Sequence, residues 1–379
     1  MDFVLSPEHM MSRQLFSKFA ENEVKPYAIE TDETEEFPRQ TVEKMGKNGL
    51  LGIPVPVEYG GQGCDTLTYV LCVEELAKVC GTTAVIVSAH TSLCCDPIKR
   101  FGTEEQKQKF LVPLAKGEKL GAFALTEPAA GTDAAAAKTT AVKDGDSYIL
   151  NGTKIFITNG KEADIYVVFA KTDKTLGSKG MSAFIVEKGT PGFTFGTKER
   201  KMGIRGSSTY ELVFSDCRIP KENLLDQEGN GYIIAMQTLD GGRIGIASQA
   251  LGIAEGAFDA TVKYVRERKQ FGRALSKFQN TQFVMADLAT RIEAAKMLVY
   301  KAAMAKDSGK KYIVEAAMAK LYAAETAMEV TTKCVQLHGG YGYTREYEVE
   351  RMMRDAKITE IYEGTSEVQR MVISGSFLK

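Results

Sequence analysis

"SYILNGTKIFITNG", residues 147–160, decides how the rest of the chain is read. Tyr148, Ile149, Leu150, Ile155, Phe156 and Ile157 are aliphatic, β-branched or aromatic, and Asn-Gly or Gly pairs interrupt and close the run. Such a run between turn residues predicts a strand, and Asn151-Gly152 between apolar residues predicts a hairpin turn. The texture continues on both sides from about 121 to 218, in "DIYVVFAKT", "MSAFIVEKG", "FTFGTK" and "YELVFSDCRIP". An antiparallel barrel or sandwich is expected here.

The flanks are helical in pattern. Towards the N-terminus, Ser6 and Pro7 have the chemistry of an N-cap and a first helical residue, ahead of Met11, Leu15 and Phe19 at four-residue spacing. Tyr69, Cys72, Val73, Leu76 and Val79 form one stripe, and Thr103 with Gln106 has capping-box spacing. Towards the C-terminus, Ala317, Leu321, Ala324, Met328, Thr331 and Val335 form a bundle seam that Gly339 is placed to stop. Two further long amphipathic stretches, 245–272 and 281–309, suggest an antiparallel bundle. The expected fold is mainly α with a central β-domain: 1–119 helical, 120–225 β, and 226–379 a helical bundle.

Composition narrows the function classes. A formal net charge of -1 over 379 residues argues against nucleic acid or an anionic membrane as partner. Seven cysteines without a CxxC pair, and three unclustered histidines, argue against a zinc site and for reduced thiols. No run of about 18 apolar residues predicts a membrane span. "MDFVLSPEHMMSRQLF" lacks a basic, apolar leader pattern, so a cytoplasmic, bacterial protein is expected.

Single motifs leave alternatives open. "GAFALTEPAAGTDAAAAKTT" (121–140) is a small-residue segment that a flat ligand could approach closely, or a plain inter-domain loop. Phe156 could wall a planar cofactor or pack in a core. Arg266, Arg268, Lys269 and Arg273 could bind phosphate or simply complement a helix C-terminus. "LDGGRIGIA" (239–247) reads as a helix opening, with Asp240 as a cap and Arg243 facing a ligand or pairing with Asp240. In "TEIYEGTSEVQ" (359–369), Ser366 and Gln369 have capping-box spacing, which leaves Glu363 in the loop before a helix.

The order of the motifs is more specific than any one of them. "LTEPAAGTD", "NGTKIFITNG", "LDGGRIGIASQALGIA", "RKQFG" followed by "KFQ", "QLHGGYGY" and "RDAKITEIYEGTSEVQ" follow one another as in the acyl-CoA dehydrogenases, which the chain resembles over essentially its whole length. The resemblance implies a helical domain, a β-domain and a C-terminal four-helix bundle. It also implies non-covalent FAD, an acyl-CoA thioester substrate, an electron-transfer flavoprotein as partner, and a tetramer built as a dimer of dimers.

Residue by residue, it implies FAD contacts from Phe123, Leu125, Thr126, Gly131 and Thr132, and from Phe156, Ile157 and Thr158. Many members have Trp at the position of Phe156, and this chain has none. Arg268, Phe271 and Gln279 correspond to contacts with a neighbouring subunit's FAD. Gln336, Leu337, Gly339 and Gly340 correspond to the adenosine and pyrophosphate loop, and Thr365, Ser366 and Glu367 to the last FAD segment. Thr132, Leu239, Asp240, Arg243, Tyr362 and Gly364 correspond to substrate contacts.

Glu363 stands at the family's base position. Some members place the base instead at the position of Gly242, which has no side chain here. The closest likeness is to short-chain, butyryl-type members. Branched, medium-chain or glutaryl specificity, an oxidase activity, and an acyl-CoA-binding or electron-relay subunit with little turnover of its own are the alternatives.

Overall fold

A computed structural model describes residues 5–378; Met1 to Val4 and Lys379 lie outside the described residues. Ser6 caps the first helix, Pro7–Phe19, by accepting from the His9 N–H, and Thr103 and Gln106 close a reciprocal capping box. Of the stripe expected at Met11, Leu15 and Phe19, only Phe19 packs against the core. Met11 and Leu15 are exposed, and Phe16 and Ala20 are buried instead. Helix Thr66–Val79 is buried almost all round, so its five-residue stripe is only part of its packed surface.

The middle region is one sheet in the order β6-β7-β3-β2-β4-β5-β8, with β1 added beside β4. The strands are β1 (Gly121–Ala124), β2 (Thr140–Asp144), β3 (Ser147–Ile157), β4 (Ile165–Lys171), β5 (Met181–Glu187), β6 (Phe193–Lys198), β7 (Tyr210–Pro220) and β8 (Leu224–Leu225). Most pairings are antiparallel as expected, but β1 and β2 each run parallel to β4. The long connection between β1 and β4 makes the parallel pairing possible.

Asn151-Gly152 is not a hairpin turn. It lies inside β3, where the register with β7 slips between Leu150 and Gly152. The turn between β2 and β3 is Gly145-Asp146, closing the pair Asp144 and Ser147. A Cβ at Gly152 would stand 2.5 Å from Thr139 Oγ1, so this glycine serves a bulge packed against a neighbouring segment.

Strand β4 is buried on both faces. Ile165, Val167 and Phe169 meet Phe110, Leu114 and Ile234 of the helical regions. Tyr166, Val168 and Ala170 pack with Leu150, Ile157 and Phe214 inside the sheet's own core. This explains its unbroken apolar run.

The C-terminal region is organised by helix Gly231–Glu267, 37 residues long. It packs on Thr66–Val79, Gln279–Asp307 and Ile313–His338. Asp240 therefore lies well inside the helix and is not its cap. Two glycines further along the helix allow close packing. Cβ atoms at Gly252 and Gly256 would stand 2.2 Å and 2.0 Å from the carbonyl oxygens of Glu74 and Lys78. The backbones touch there, and burial against neighbours outweighs the cost of about 1 kcal/mol per helical glycine. Helix Ile313–His338 ends at Gly339, as its sequence suggests. No helix among the described residues is long and apolar enough to cross a membrane.

Candidate active site

After helix Val349–Lys357 and the short turn Ile358–Glu360, the chain makes a tight loop and enters helix Ser366–Gly375. The cap of that helix is Thr365, whose Oγ1 accepts from the Val368 N–H at 3.3 Å. The capping box expected between Ser366 and Gln369 does not form, because Gln369 Nε2 donates to the Gly364 carbonyl at 2.8 Å. Glu363 and Gly364 both take positive φ, 52° and 94°. A non-glycine residue in that region costs about 1 kcal/mol or more and persists where neighbours fix it.

Three contacts fix it. Gln369 and Lys320 Nζ, the latter at 2.7 Å, converge on the Gly364 carbonyl. Tyr362 OH donates to Gln249 Oε1, and Gln249 Nε2 in turn donates to the Gly81 carbonyl at 2.9 Å.

The loop aims the Glu363 side chain at helix Gly231–Glu267. A Cβ built at Gly242 would stand 2.0 Å from Glu363 Oε2 and 2.8 Å from Leu93 Cδ2. The carboxylate thus occupies space that any side chain at 242 would need. Although the residue as a whole is only half-buried, Oε2 is fully buried and has no hydrogen-bond partner. Burial pushes the carboxyl up to about 8, against the opposing pull of Lys320 and Arg243. A buried, unpaired carboxyl near neutrality, at the end of a strained loop, is suited to accept a proton.

Around it, Arg243 pairs with Asp240 at 2.7 Å and keeps a buried Nε without a partner. Leu239 is half-buried against the cluster under the sheet. Glu360 takes a hydrogen bond from Lys357 Nζ at 2.6 Å, and Glu367 is exposed in the first turn of the last helix.

The segment after β1 is held against β3. Ile155 N–H donates to the Thr126 carbonyl at 2.9 Å, and buried Lys154 donates to the Leu125 carbonyl at 3.0 Å and to Glu127 Oε1 at 2.7 Å. Phe123 packs on Phe169, with ring centroids 4.9 Å apart. Gly131 and Thr132 are exposed. Phe156 is 59% exposed with φ 57°, an uncovered aromatic face at the end of a strand. Ile157 points into the sheet core and Leu125 is buried, so neither side chain is free to line a ligand and only their backbones are available. Thr158 and Thr126 are half-buried.

A second feature lies elsewhere. A groove of about 550 Å³ brings together Arg268, Gln336, Leu337, Gly339, Gly340 and Tyr341, and includes none of the residues from 121–158 or 363–367. Phe271 is 94% exposed at the tip of the hairpin Lys269–Gln270 and Arg273–Ala274, and Gln279 is exposed at the start of the next helix. The residues singled out from the sequence therefore fall into two separate groups. These fit a long anionic cofactor with a planar ring. Phe156 offers a flat face, Ser366 Oγ is buried without a partner at a helix N-terminus, and Arg268 lies beside glycines with nothing within 4 Å of their missing side chains.

Lys320, Lys154 and Gln249 were not singled out from the sequence. The signal available was a lysine among the alanines of "EAAMAKLYAAETA" and another at an inward strand position, but neither spacing tells what a buried amine touches.

The comparisons agree with this geometry. Profiles of the acyl-CoA dehydrogenase N-terminal, middle and C-terminal domains match residues 6–118, 122–217 and 229–378. A short-chain specific acyl-CoA dehydrogenase of Clostridium acetobutylicum is 64% identical, with all of both chains covered. The butyryl-CoA dehydrogenase of Megasphaera elsdenii superposes with a TM-score of 0.99 at 54% identity, covering all of both chains. A chain from a structure described as the electron transferring flavoprotein of Acidaminococcus fermentans superposes equally well, with a TM-score of 0.99 at 60% identity over all of both chains. With three domain profiles in order, full-length relatives and a glutamate set against an empty glycine position, the chain belongs to the acyl-CoA dehydrogenase family.

Proposed function

We propose that this chain catalyses FAD-dependent α,β-dehydrogenation of a short-chain acyl-CoA, butyryl-CoA to crotonyl-CoA or the reverse. Electrons pass to or from an electron-transfer flavoprotein. The names of the full-length relatives support the substrate class, and the Acidaminococcus structure supports the partner. The observation that carries the mechanism is the buried, unpartnered Glu363 Oε2 facing Gly242.

The α-hydrogen of a saturated thioester is too weakly acidic for a carboxylate in water, so the base must be positioned and shielded. Glu363 takes the α-proton. Its backbone N–H donates to the thioester carbonyl, and Gly364, whose missing side chain faces Gln369 and Val368, lets the loop take the left-handed turn that presents it. Burial raises the basicity of the carboxylate and excludes competing water. Bound FAD supplies the acceptor for the β-hydride.

Phe123, Leu125, Thr126, Gly131, Thr132, Phe156, Ile157, Thr158, Thr365, Ser366 and Glu367 hold the flavin half, Leu125 and Ile157 through their backbones. Arg268, Phe271, Gln279, Gln336, Leu337, Gly339 and Gly340 hold the adenine half of a cofactor shared with a neighbouring subunit. The separate groove and the protruding Phe271 support that division, and with it a tetramer built as a dimer of dimers. Thr132, Leu239, Asp240, Arg243, Tyr362 and Gly364 contact the acyl-CoA. Residues 1–119, 120–225 and 226–379 act as the three structural units. The protein works in the cytoplasm, a reading supported by free cysteines throughout the described chain.

A scan of the purified enzyme across acyl-CoA lengths, with an electron-transfer flavoprotein as acceptor, tests the proposal. Peak activity at four carbons is expected; a peak at eight carbons or longer contradicts the short-chain assignment.

A further inference from the structure

Lys320 is fully buried in helix Ile313–His338. Its Nζ donates to the Gly364 carbonyl at 2.7 Å and makes no ion pair with any carboxylate of the described residues. An unpaired buried ammonium costs several kcal/mol of desolvation unless something offsets it. The same carbonyl is already satisfied by Gln369 Nε2 at 2.8 Å. The carbonyl has room for a second donor, but a neutral donor would serve there at lower desolvation cost than an ammonium.

The feature that does call for a cation is the neighbouring carboxyl of Glu363, whose Oε2 has no donor of its own. Lys320 reaches the peptide one residue beyond the carboxylate without capping it. A direct ion pair would tie up the oxygen that must accept a proton. A cation held on the adjacent carbonyl lends its field and leaves that oxygen free.

We propose that Lys320 is a positioning residue for the dehydrogenation, clamping the Glu363 loop in its left-handed conformation and electrostatically favouring the ionised carboxylate. The inference rests on Glu363 being the base. The groups facing Glu363 are Lys320, Arg243 of helix Gly231–Glu267, Tyr69 of helix Thr66–Val79, and Tyr362 on its own loop. Arg243 is already paired with Asp240. Both tyrosines are held neutral by burial, Tyr362 well above its ordinary range. Lys320 is therefore the cation among them with no carboxylate of its own. Glu360 and Glu367 also act on Lys320, from the flanking turn and the last helix.

The test compares Lys320→Gln, Lys320→Met and Lys320→Arg with the parent holoenzyme and Glu363→Gln, by the pH dependence of kcat/KM on butyryl-CoA and by FAD content from the visible spectrum. Lys320→Gln keeps a donor but not the charge. It should move the acid limb of the profile upward by about one pH unit, lowering kcat/KM about tenfold at pH 7 with FAD retained. Lys320→Met should show the same shift and a further loss in kcat, and Lys320→Arg should restore the parent profile. A Lys320→Gln profile superimposable on the parent's overturns the electrostatic role, and an unshifted Lys320→Met overturns the proposal entirely. If Lys320→Met does not fold, Lys320→Gln against Lys320→Arg decides. Normal turnover by Glu363→Gln would instead refute the assignment of the base, whatever the Lys320 variants do.

Discussion

Two of the places where the molecule buries carboxylates are built in opposite ways. Where helix Pro7–Phe19 meets helices Thr66–Val79, Gly231–Glu267 and Gln279–Asp307, Glu74, Glu75 and Glu255 are interleaved with Arg13, Lys78 and Lys296. Arg13 lies 3.1 Å from Glu74 and 2.7 Å from Glu75, and Glu255 lies 2.9 Å from Lys78 and 2.8 Å from Lys296. Tyr300 OH donates to Glu74 at 2.9 Å. At the other place Glu363 has Lys320 and Arg243 near it and nothing bonded to Oε2. Burial pushes both Glu74 and Glu363 up to about 8, with Glu255 adding to the rise at Glu74. A raised pKa therefore does not separate a structural carboxyl from a working one. The difference lies in the ion pairs: each carboxylate of the network has a cation beside it, Glu255 Oε2 lying 2.9 Å from Lys78 Nζ, and Glu363 Oε2 has neither an ion pair nor a hydrogen bond among the described residues.

The largest contrast is between removing one member of each place. Glu363→Gln should lower turnover of butyryl-CoA by about 10³-fold or more while FAD stays bound. Glu255→Gln strands cations in a buried network and should cost about 3 kcal/mol of stability or more, with turnover per folded molecule unchanged. Thermal melts and FAD-normalised rates on the two variants check both. The contrast collapses if Glu255→Gln loses turnover as Glu363→Gln does.

Gly242→Ala sharpens the comparison from the opposite wall. The new Cβ would fall 2.0 Å from Glu363 Oε2, so the carboxylate must move away. A displacement of about 1 Å should cost about 10²-fold in kcat/KM. Steady-state kinetics with FAD content as control measures this; an unchanged rate means the carboxylate does not work from its observed position.

The pH dependence is smaller, and its sign is fixed by the geometry. A base must be ionised to act, so kcat/KM should rise with pH up to about 8 and fall about tenfold per unit below it. Stability runs the other way. The native state holds the Glu363 proton above the ordinary carboxyl range. Its contribution is full below pH 4.5 and is lost as pH rises through about 8. Glu363→Gln should therefore melt about 2 °C or more above the parent at pH 9 and together with it at pH 4. A parent that melts higher at pH 9 contradicts the buried, unpaired state of the carboxyl.

Local chemistry was readable in the sequence, and packing was not. Ser6 with Pro7, Thr103 with Gln106, and the helix stop at Gly339 depend on neighbours within a few residues, and each forms as its spacing indicates. Asn151-Gly152 as a turn and Asp240 as a cap are equally local readings that the tertiary structure overrides. Gly152 makes room for Thr139 of a neighbouring segment, and Gly242 for Glu363, which lies far along the chain. The parallel pairing of β1 with β4 is non-local for the same reason. Met11 and Leu15 repeat at helical spacing and still face outward, because the core lies one residue further round, on Phe16 and Ala20. In the site, Glu363 and the empty position 242 could be named from motif order. The convergence of Lys320 and Gln369 on one carbonyl could not, because it joins residues 44 and 5 positions away from Gly364.

The account's central claim is that Glu363 removes the proton that permits reduction of bound FAD. Anaerobic titration of the FAD-loaded protein with butyryl-CoA, followed in the visible spectrum beside Glu363→Gln, tests it most directly. The parent's flavin absorbance should bleach as substrate is added, and the variant's should persist with substrate bound. Equal bleaching of the two proteins would show that another group takes the proton.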